Sequence, residues 1–177
     1  MTGSGDPSVP VGRSDPLTPG TAAADVVAAL AERRQTVATA ESLTAGLVSA
    51  AIAGVAGAST VLRGGLVVYA TDLKATLAGV PQEVLDGGGP VTPETAQALA
   101  AGARLRCGAT WGIGLTGVAG PTEQDGSPVG TVYVGVAGPD GSEVRQWTLQ
   151  GGRWEIRYGA AVRALAELLD AVRGGST

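Results

Sequence analysis

The sequence predicts an α/β fold of three layers, with helices on both faces of a mixed central sheet, and three observations predict it. From Thr36 onward, strand, helix and strand patterns follow one another, the βαβ signature of a parallel strand pair. Two further strand patterns flank Gly138, Pro139, Asp140 and Gly141, turn-forming residues that mark an antiparallel hairpin. With no Phe, three Trp and three Tyr in 177 residues, the core falls to Val, Leu, Ile and Ala, enough for one domain and too little for two large ones.

Residues 1–17 carry Pro7, Pro10 and Pro16 among Gly and Ser and have little apolar surface to pack, so they predict a flexible tail ahead of one domain over 18–177. Folded structure is expected from Thr18. Pro19 suits a first helical turn, Ala23, Val26, Val27 and Leu30 follow at helical spacing, and Arg33 and Arg34 suit a C-terminal end. Thr36 to Ala40 reads as a strand and Leu43 to Ala53 as a helix of small residues closed by Gly54, so Glu41 and Ser42 fall at the junction. The next strand runs from about Leu62 to Ala70. Thr71 suits the cap of a short helix through Leu77, Pro81 opens another turn, and Thr92, Pro93 and Glu94 open a helix through Ala103 that Gly108 ends. Trp111 to Thr116 is a strand, followed by a Gly- and Pro-containing loop from Gly117 to Pro128. The hairpin joins Val129–Ala137 to Ser142–Leu149. A last helix lines up Ile156, Ala160, Ala161, Leu165, Leu168, Leu169 and Val172 on one broad face and stops at Gly174.

Composition excludes several functions. A net charge of −4 without a basic cluster argues against a nucleic-acid partner, which requires clustered Lys and Arg to neutralise phosphates. No His and one Cys exclude a zinc site with nitrogen and sulfur ligands, although magnesium held by carboxylates and a substrate phosphate stays open. Cys107, alone and near a predicted helix end, suits a buried thiol in a reducing compartment. There is no basic segment followed by an apolar run and no uninterrupted apolar stretch of membrane length, so a cytoplasmic protein with no membrane partner is expected.

Of twelve basic residues only Lys74 is lysine. Arginine holds its proton at any working pH, so Lys74 is the one basic side chain able to lose it and act as a base or nucleophile. Replacement of lysine by arginine throughout, with one survivor on a solvated face, is the plainer account of the same count. Expected in the first turn of its helix, Lys74 would have its pKa lowered by the helix dipole. Ser42, where a strand hands over to a helix, would face the positive end of another dipole, a setting that favours developing negative charge and equally suits an ordinary N-cap. Glu41 and Thr44 fit surface or capping duties. Tyr69 and Lys74 flank the end of the second strand and can share the C-terminal sheet edge with Ser42, where open α/β sheets bind ligands; Tyr69 equally suits packing against the core. The glycines of Gly117-Val118-Ala119-Gly120-Pro121 would let backbone amides approach an anion, or simply make a flexible connector. Arg153 and Arg157, one helical turn apart, could clamp a phosphate or lie free on the surface.

Taken in order, Ala38-Thr39-Ala40-Glu41-Ser42-Leu43-Thr44-Ala45-Gly46, Arg63-Gly64-Gly65 through Tyr69 to Lys74, Thr116-Gly117-Val118-Ala119-Gly120-Pro121 and Pro128-Val129-Gly130-Thr131-Val132 resemble the nicotinamide-nucleotide amidohydrolase family. The same domain forms the C-terminal end of CinA competence/damage-inducible proteins. The resemblance covers about Thr18 to Arg173 and leaves no room for the N-terminal pyrophosphatase-type domain of full-length CinA. It implies hydrolysis of the carboxamide of nicotinamide mononucleotide to nicotinate mononucleotide and ammonia, without metal or cofactor. In that scheme Ser42 is the nucleophile, Lys74 the general base and later acid, and Tyr69 a proton relay or orienting group, while Ser59, Thr44, Thr116, Gly117 and Arg153 contact substrate. The chain departs from the family where Leu43 and Ala45 replace Cys and Gly after the nucleophile, where Ser127 replaces a lysine and where Gly152 replaces an acidic residue. Ala45 would reshape the first helical turn. A non-catalytic nucleotide-binding or regulatory module is the rival reading, a DNA-associated competence factor a third, and the small-residue helices allow a homo-oligomer.

Overall fold

The computed structural model describes residues 15–174, so all but Asp15–Leu17 of the expected tail lies outside the described residues. Those three already belong to the folded part: the Leu17 amide donates to Asp15 Oδ1 at 2.8 Å, and the Leu17 side chain packs against the core. The first helix, α1 (Ala23–Glu32), starts later than Pro19 suggests, because Gly20 takes a left-handed conformation (φ 77°) that a helix cannot contain.

The strand β1 (Val37–Glu41), the helix α2 (Leu47–Ala53) and the strand β2 (Leu62–Val67) form the expected βαβ unit, with β1 and β2 parallel. Two short helices, α3 (Thr71–Thr76) and α4 (Gln82–Gly88), lead to α5 (Pro93–Arg106). Thr92 caps α5 by accepting the Thr95 amide at 3.1 Å, whereas Thr71 is the first residue of α3 and caps nothing. Then come β3 (Trp111–Gly117), β4 (Thr131–Gly138), β5 (Gly141–Thr148) and α6 (Arg153–Gly174). The sheet order is β2-β1-β3-β4-β5: β2, β1 and β3 run parallel, and the hairpin β4-β5 completes it antiparallel.

Alternation along β1 and β3 divides the core into two layers. Val37, Trp111, Ile113 and Leu115 face α1, α2 and α6, whose Val26, Leu30, Ile52, Leu165 and Leu168 are wholly buried against them. Every apolar residue expected on the inner face of α6 is buried there. Ala38 and Ala40 point the other way, toward Leu99 and Ala103 of α5. On that side β3 and β4 present glycine, and the paired Gly114 and Gly135 explain why: a Cβ on either would come within 2.4 Å of the α5 backbone. The helix can lie this close to the sheet only because nothing projects from it at those points. Cys107, at the C-terminal end of α5, is half-buried rather than buried.

Candidate active site

Because β1, β2 and β3 are parallel, their C-terminal ends share one edge of the sheet, and the residues that follow them meet there. Ser42 follows β1, Tyr69 and Lys74 follow β2, and Thr116 and Gly117 end β3. All five line a cavity of about 290 Å3, closed by Pro90 and Val91 ahead of α5, by the loop after β3 and by Arg153 at the start of α6. The glycine-bearing loop therefore forms a wall of the cavity. A larger cavity of about 580 Å3 lies between the hairpin and the far end of α6, among Trp111, Glu143, Arg145 and Glu167, and includes none of the candidate site residues.

Ser42 does not cap a helix. It opens a turn in which the Ala45 amide donates to the Ser42 carbonyl at 3.1 Å, and α2 begins only at Leu47. Ala45 (φ 49°) and Gly46 (φ 98°) are both left-handed, so the chain cannot run helically from Leu43 as its composition suggests. Ala45 thus occupies a position where glycine fits without strain, and it alters a turn rather than a helix. The α2 N-terminus is taken instead by Glu41, which is completely buried and no surface residue. Its carboxylate accepts from the amides of Gly46 (2.9 Å), Val48 (3.1 Å) and Ser49 (2.9 Å) and from the hydroxyls of Ser49 (2.9 Å) and Thr39 (3.0 Å). These bonds fix the segment on either side of Ser42, with the Ser42 amide itself donating to the Leu115 carbonyl at 3.1 Å.

Among the described residues Lys74 is the largest fully buried side chain, at 1 % exposure, so it is no survivor on a solvated face. Burial holds its pKa down at about 8 against the usual 10.5, partly offset by the nearby Asp72 carboxylate. The direction is the one expected from the sequence, but desolvation rather than the helix dipole supplies it. Nζ donates to the carbonyls of Val68 (3.0 Å) and Tyr69 (3.3 Å). A neutral amine with both N–H groups used this way has its lone pair left to take a proton.

Tyr69 is neither packed in the core nor bonded to Lys74 through its ring. It is 55 % exposed, and its hydroxyl accepts from Arg153 Nη2 at 2.6 Å while Arg153 Nη1 donates to the Gly120 carbonyl at 2.6 Å. Arg153 thus ties the β2 and β3 ends across the cavity mouth. Arg157 does not join it as a clamp: it donates from Nε to the Leu43 carbonyl (2.8 Å) and from Nη2 to the Thr44 carbonyl (3.1 Å). Thr116 is buried and donates its hydroxyl to the Pro90 carbonyl, and Gly117 has no space for a Cβ, which would meet the Thr131 carbonyl at 2.5 Å. Thr44 is buried behind the Ser42 turn, outside the cavity lining, and its hydroxyl has no partner among the described residues. Ser59 is exposed on a 3-10 turn (Ala58–Thr60) ahead of β2, and so stands at the opposite, N-terminal edge of the sheet. Roughly 16 Å of strand separates the two edges. Sequence reasoning allowed Glu41 a capping duty but not its burial or its reach across the turn to α2, and it missed the Arg157 bonds to the turn carbonyls.

The model of the CinA C-terminal domain family matches residues 20–172. A CinA-like protein of Frankia casuarinae is 49% identical over 140 residues, 79% of this chain and 32% of the relative. Another, from Anaeromyxobacter sp. strain Fw109-5, is 47% identical over 149 residues, 84% of this chain and 36% of the relative. The chain therefore spans about a third of the length of these relatives. Among solved structures, the competence/damage inducible protein CihA of Agrobacterium tumefaciens superposes with a TM-score of 0.81 at 34% identity, over 85% of this chain and 93% of that one. A CinA superfamily protein of Klebsiella pneumoniae 700603 gives 0.83 at 27% identity, over 86% and 96%. Motif order, the mixed sheet and the match over nearly all the described residues agree, and the chain belongs to the CinA C-terminal domain family.

Proposed function

We propose that this protein is a metal-independent amidohydrolase that deamidates nicotinamide mononucleotide, with Ser42 as nucleophile and Lys74 as base. The observation that carries the reading is the meeting of a serine and a wholly buried, weakly basic lysine in one cavity at the C-terminal sheet edge. Ser42 Oγ attacks the carboxamide carbon as its proton passes to Lys74 Nζ, forming a tetrahedral oxyanion. On collapse, the C–N bond breaks and the departing amide nitrogen takes that proton, leaving as ammonia. Water, deprotonated by the same amine, then hydrolyses the Ser42 ester to the carboxylate and frees the serine. Arg153 at the cavity mouth supplies positive charge for the phosphate, exchanging a bond to Tyr69 or Gly120 for one to a phosphate oxygen.

The test is ammonia release from nicotinamide mononucleotide by purified protein, with Ser42→Ala and Lys74→Ala beside it. Loss of activity in both supports the mechanism; full activity in either removes that residue from it. One observation favours a non-catalytic nucleotide-binding module instead: the Ser42 hydroxyl donates to nothing among the described residues, Lys74 included. Calorimetric binding of the nucleotide without any product would decide for that reading.

A further inference from the structure

We propose that the outer edge of β5 is an interface between two copies of this chain, which pair β5 with β5, antiparallel about Val144, and so join their sheets into one. This goes beyond the amidohydrolase reading and holds whatever the cavity binds. The sheet ends at β5, which pairs with β4 on one side only. Parity fixes which of its backbone groups point outward, because residues of an antiparallel ladder alternate between bonding to the neighbouring strand and bonding away from it. The Leu149 amide donates to the Gly130 carbonyl at 2.9 Å, one step beyond the Thr131–Thr148 pair, so the odd-numbered residues of β5 bond to β4. The other side of β4 agrees. There the Val118 amide donates to the Thr131 carbonyl at 2.8 Å, which gives the odd residues of β4 to β3 and leaves the even ones, such as Val132 opposite Trp147, to β5. The N–H and C=O groups of Ser142, Val144, Gln146 and Thr148 therefore face away from the sheet, and they have no backbone partner among the described residues.

Sheets commonly guard such an edge with a bulge, a proline or a row of charge. At the opposite edge β2 is guarded: its register with β1 shifts between Val37 and Ala38, and Arg63 is followed by Gly64 and Gly65. In contrast β5 keeps unbroken register over Gly141–Thr148, without proline and with glycine only at its first position. Its exposed charges, Glu143 and Arg145, carry both signs on one face, where Arg145 reaches Glu143 at 3.2 Å and Glu167 of α6 at 3.6 Å. A row of one sign repels a second copy, whereas this pair is complementary to itself. With Val144 on a two-fold axis, Glu143 of each copy lies opposite Arg145 of the other, in the closely spaced positions of the ladder. Backbone bonds are then exchanged between Ser142 and Gln146 and between the two Val144 residues, all of which point their groups outward. Moving the axis by one residue keeps those groups matched but sets Glu143 against Glu143 or Arg145 against Arg145, and parallel pairing in register does both. Charge thus selects the register that hydrogen bonding alone leaves open.

The experiment is sedimentation equilibrium of the full chain, with melting temperatures taken alongside because Arg145 also holds Glu167. Wild type is expected to be more than half dimeric at about 100 µM. Glu143→Arg alone and Arg145→Glu alone each set like charges opposite on both sides of the axis, and each should weaken self-association by about 10- to 100-fold. Mixed in equal amounts, the two single variants restore both opposite-charge pairs and should form a mixed dimer, and the double variant Glu143→Arg with Arg145→Glu should pair with itself. Val144→Pro removes an amide that faces away from β4, so it should abolish the dimer while the ladder within each copy persists. Dimers undiminished by Val144→Pro or by both single charge reversals overturn the proposal, as does a mixture of the single variants that stays monomeric. A wild type that remains monomeric up to about 300 µM also overturns it, and leaves the edge to an extended segment of another protein.

Discussion

At the scale of single residues, Lys74 decides the pH behaviour. With its pKa near 8, roughly a tenth of the molecules carry the free amine at pH 7, against well under a thousandth for an ordinary lysine. In the proposed mechanism Lys74 acts as an unprotonated base, so kcat/KM should rise with pH and level off above about 8. Asp72 favours the charged amine, so Asp72→Asn should move that limb to lower pH, and a pH–rate profile of both proteins checks the sign. Stability follows the same group. Its folded pKa lies below the unfolded 10.5, so between about 8 and 10.5 the unfolded chain binds more protons, and stability should rise with pH across that window. Lys74→Met should abolish turnover and flatten this rise in urea titrations. Ala45 makes a separate prediction: relief of its left-handed strain in Ala45→Gly, less the extra freedom of the unfolded glycine, should leave the protein unchanged or up to about 1 kcal/mol more stable. Chemical denaturation with an unchanged slope would show it.

At the scale of elements, what was legible in the sequence tracks periodicity. The buried face of α6 follows a 3.6-residue repeat through Ile156, Ala160, Leu165 and Leu168, and the Thr92–Pro93 start of α5 has local chemistry that needs no tertiary partner. The start of α2 was not legible, because its cap is the side chain of a strand residue and its onset is set by left-handed Ala45 and Gly46. The substrate contact that the resemblance implies for Ser59 fails for a similar reason in this structure: a motif states order along the chain but not which end of a strand a turn occupies. The dense contact of α5 with the sheet leads to a further expectation. Gly114→Ala pushes a methyl into the Ala96 and Ala100 backbone and should cost about 1–3 kcal/mol, read from the denaturation midpoint, although Gly114 itself does not line the cavity.

At the scale of the whole molecule, the cavity is gathered from the ends of three parallel strands and from α6, which returns more than eighty residues after β2 to deliver Arg153 to Tyr69. Substitution of Arg153 therefore tests a long-range closure with little bearing on the core, since the side chain is exposed. If Arg153 binds the phosphate of the proposed nucleotide substrate, Arg153→Ala should raise its KM by about tenfold or more with a smaller change in kcat, the pattern of lost ground-state binding. Equal falls in kcat and kcat/KM would assign Arg153 to the reacting centre instead.

The antiparallel run of β4 and β5 gives the sheet two unlike rims. The two-residue bend at Pro139 and Asp140 lies on the rim away from Ser42, and Gly174, where α6 ends, lines the same large hollow as Asp140. A loop, fluorophore or carrier protein attached there extends from the back of the molecule and leaves the mouth unobstructed. The fold thus provides a mounting side and a working side, and a surface-tethered or fused version of this domain can be built by joining it through the first.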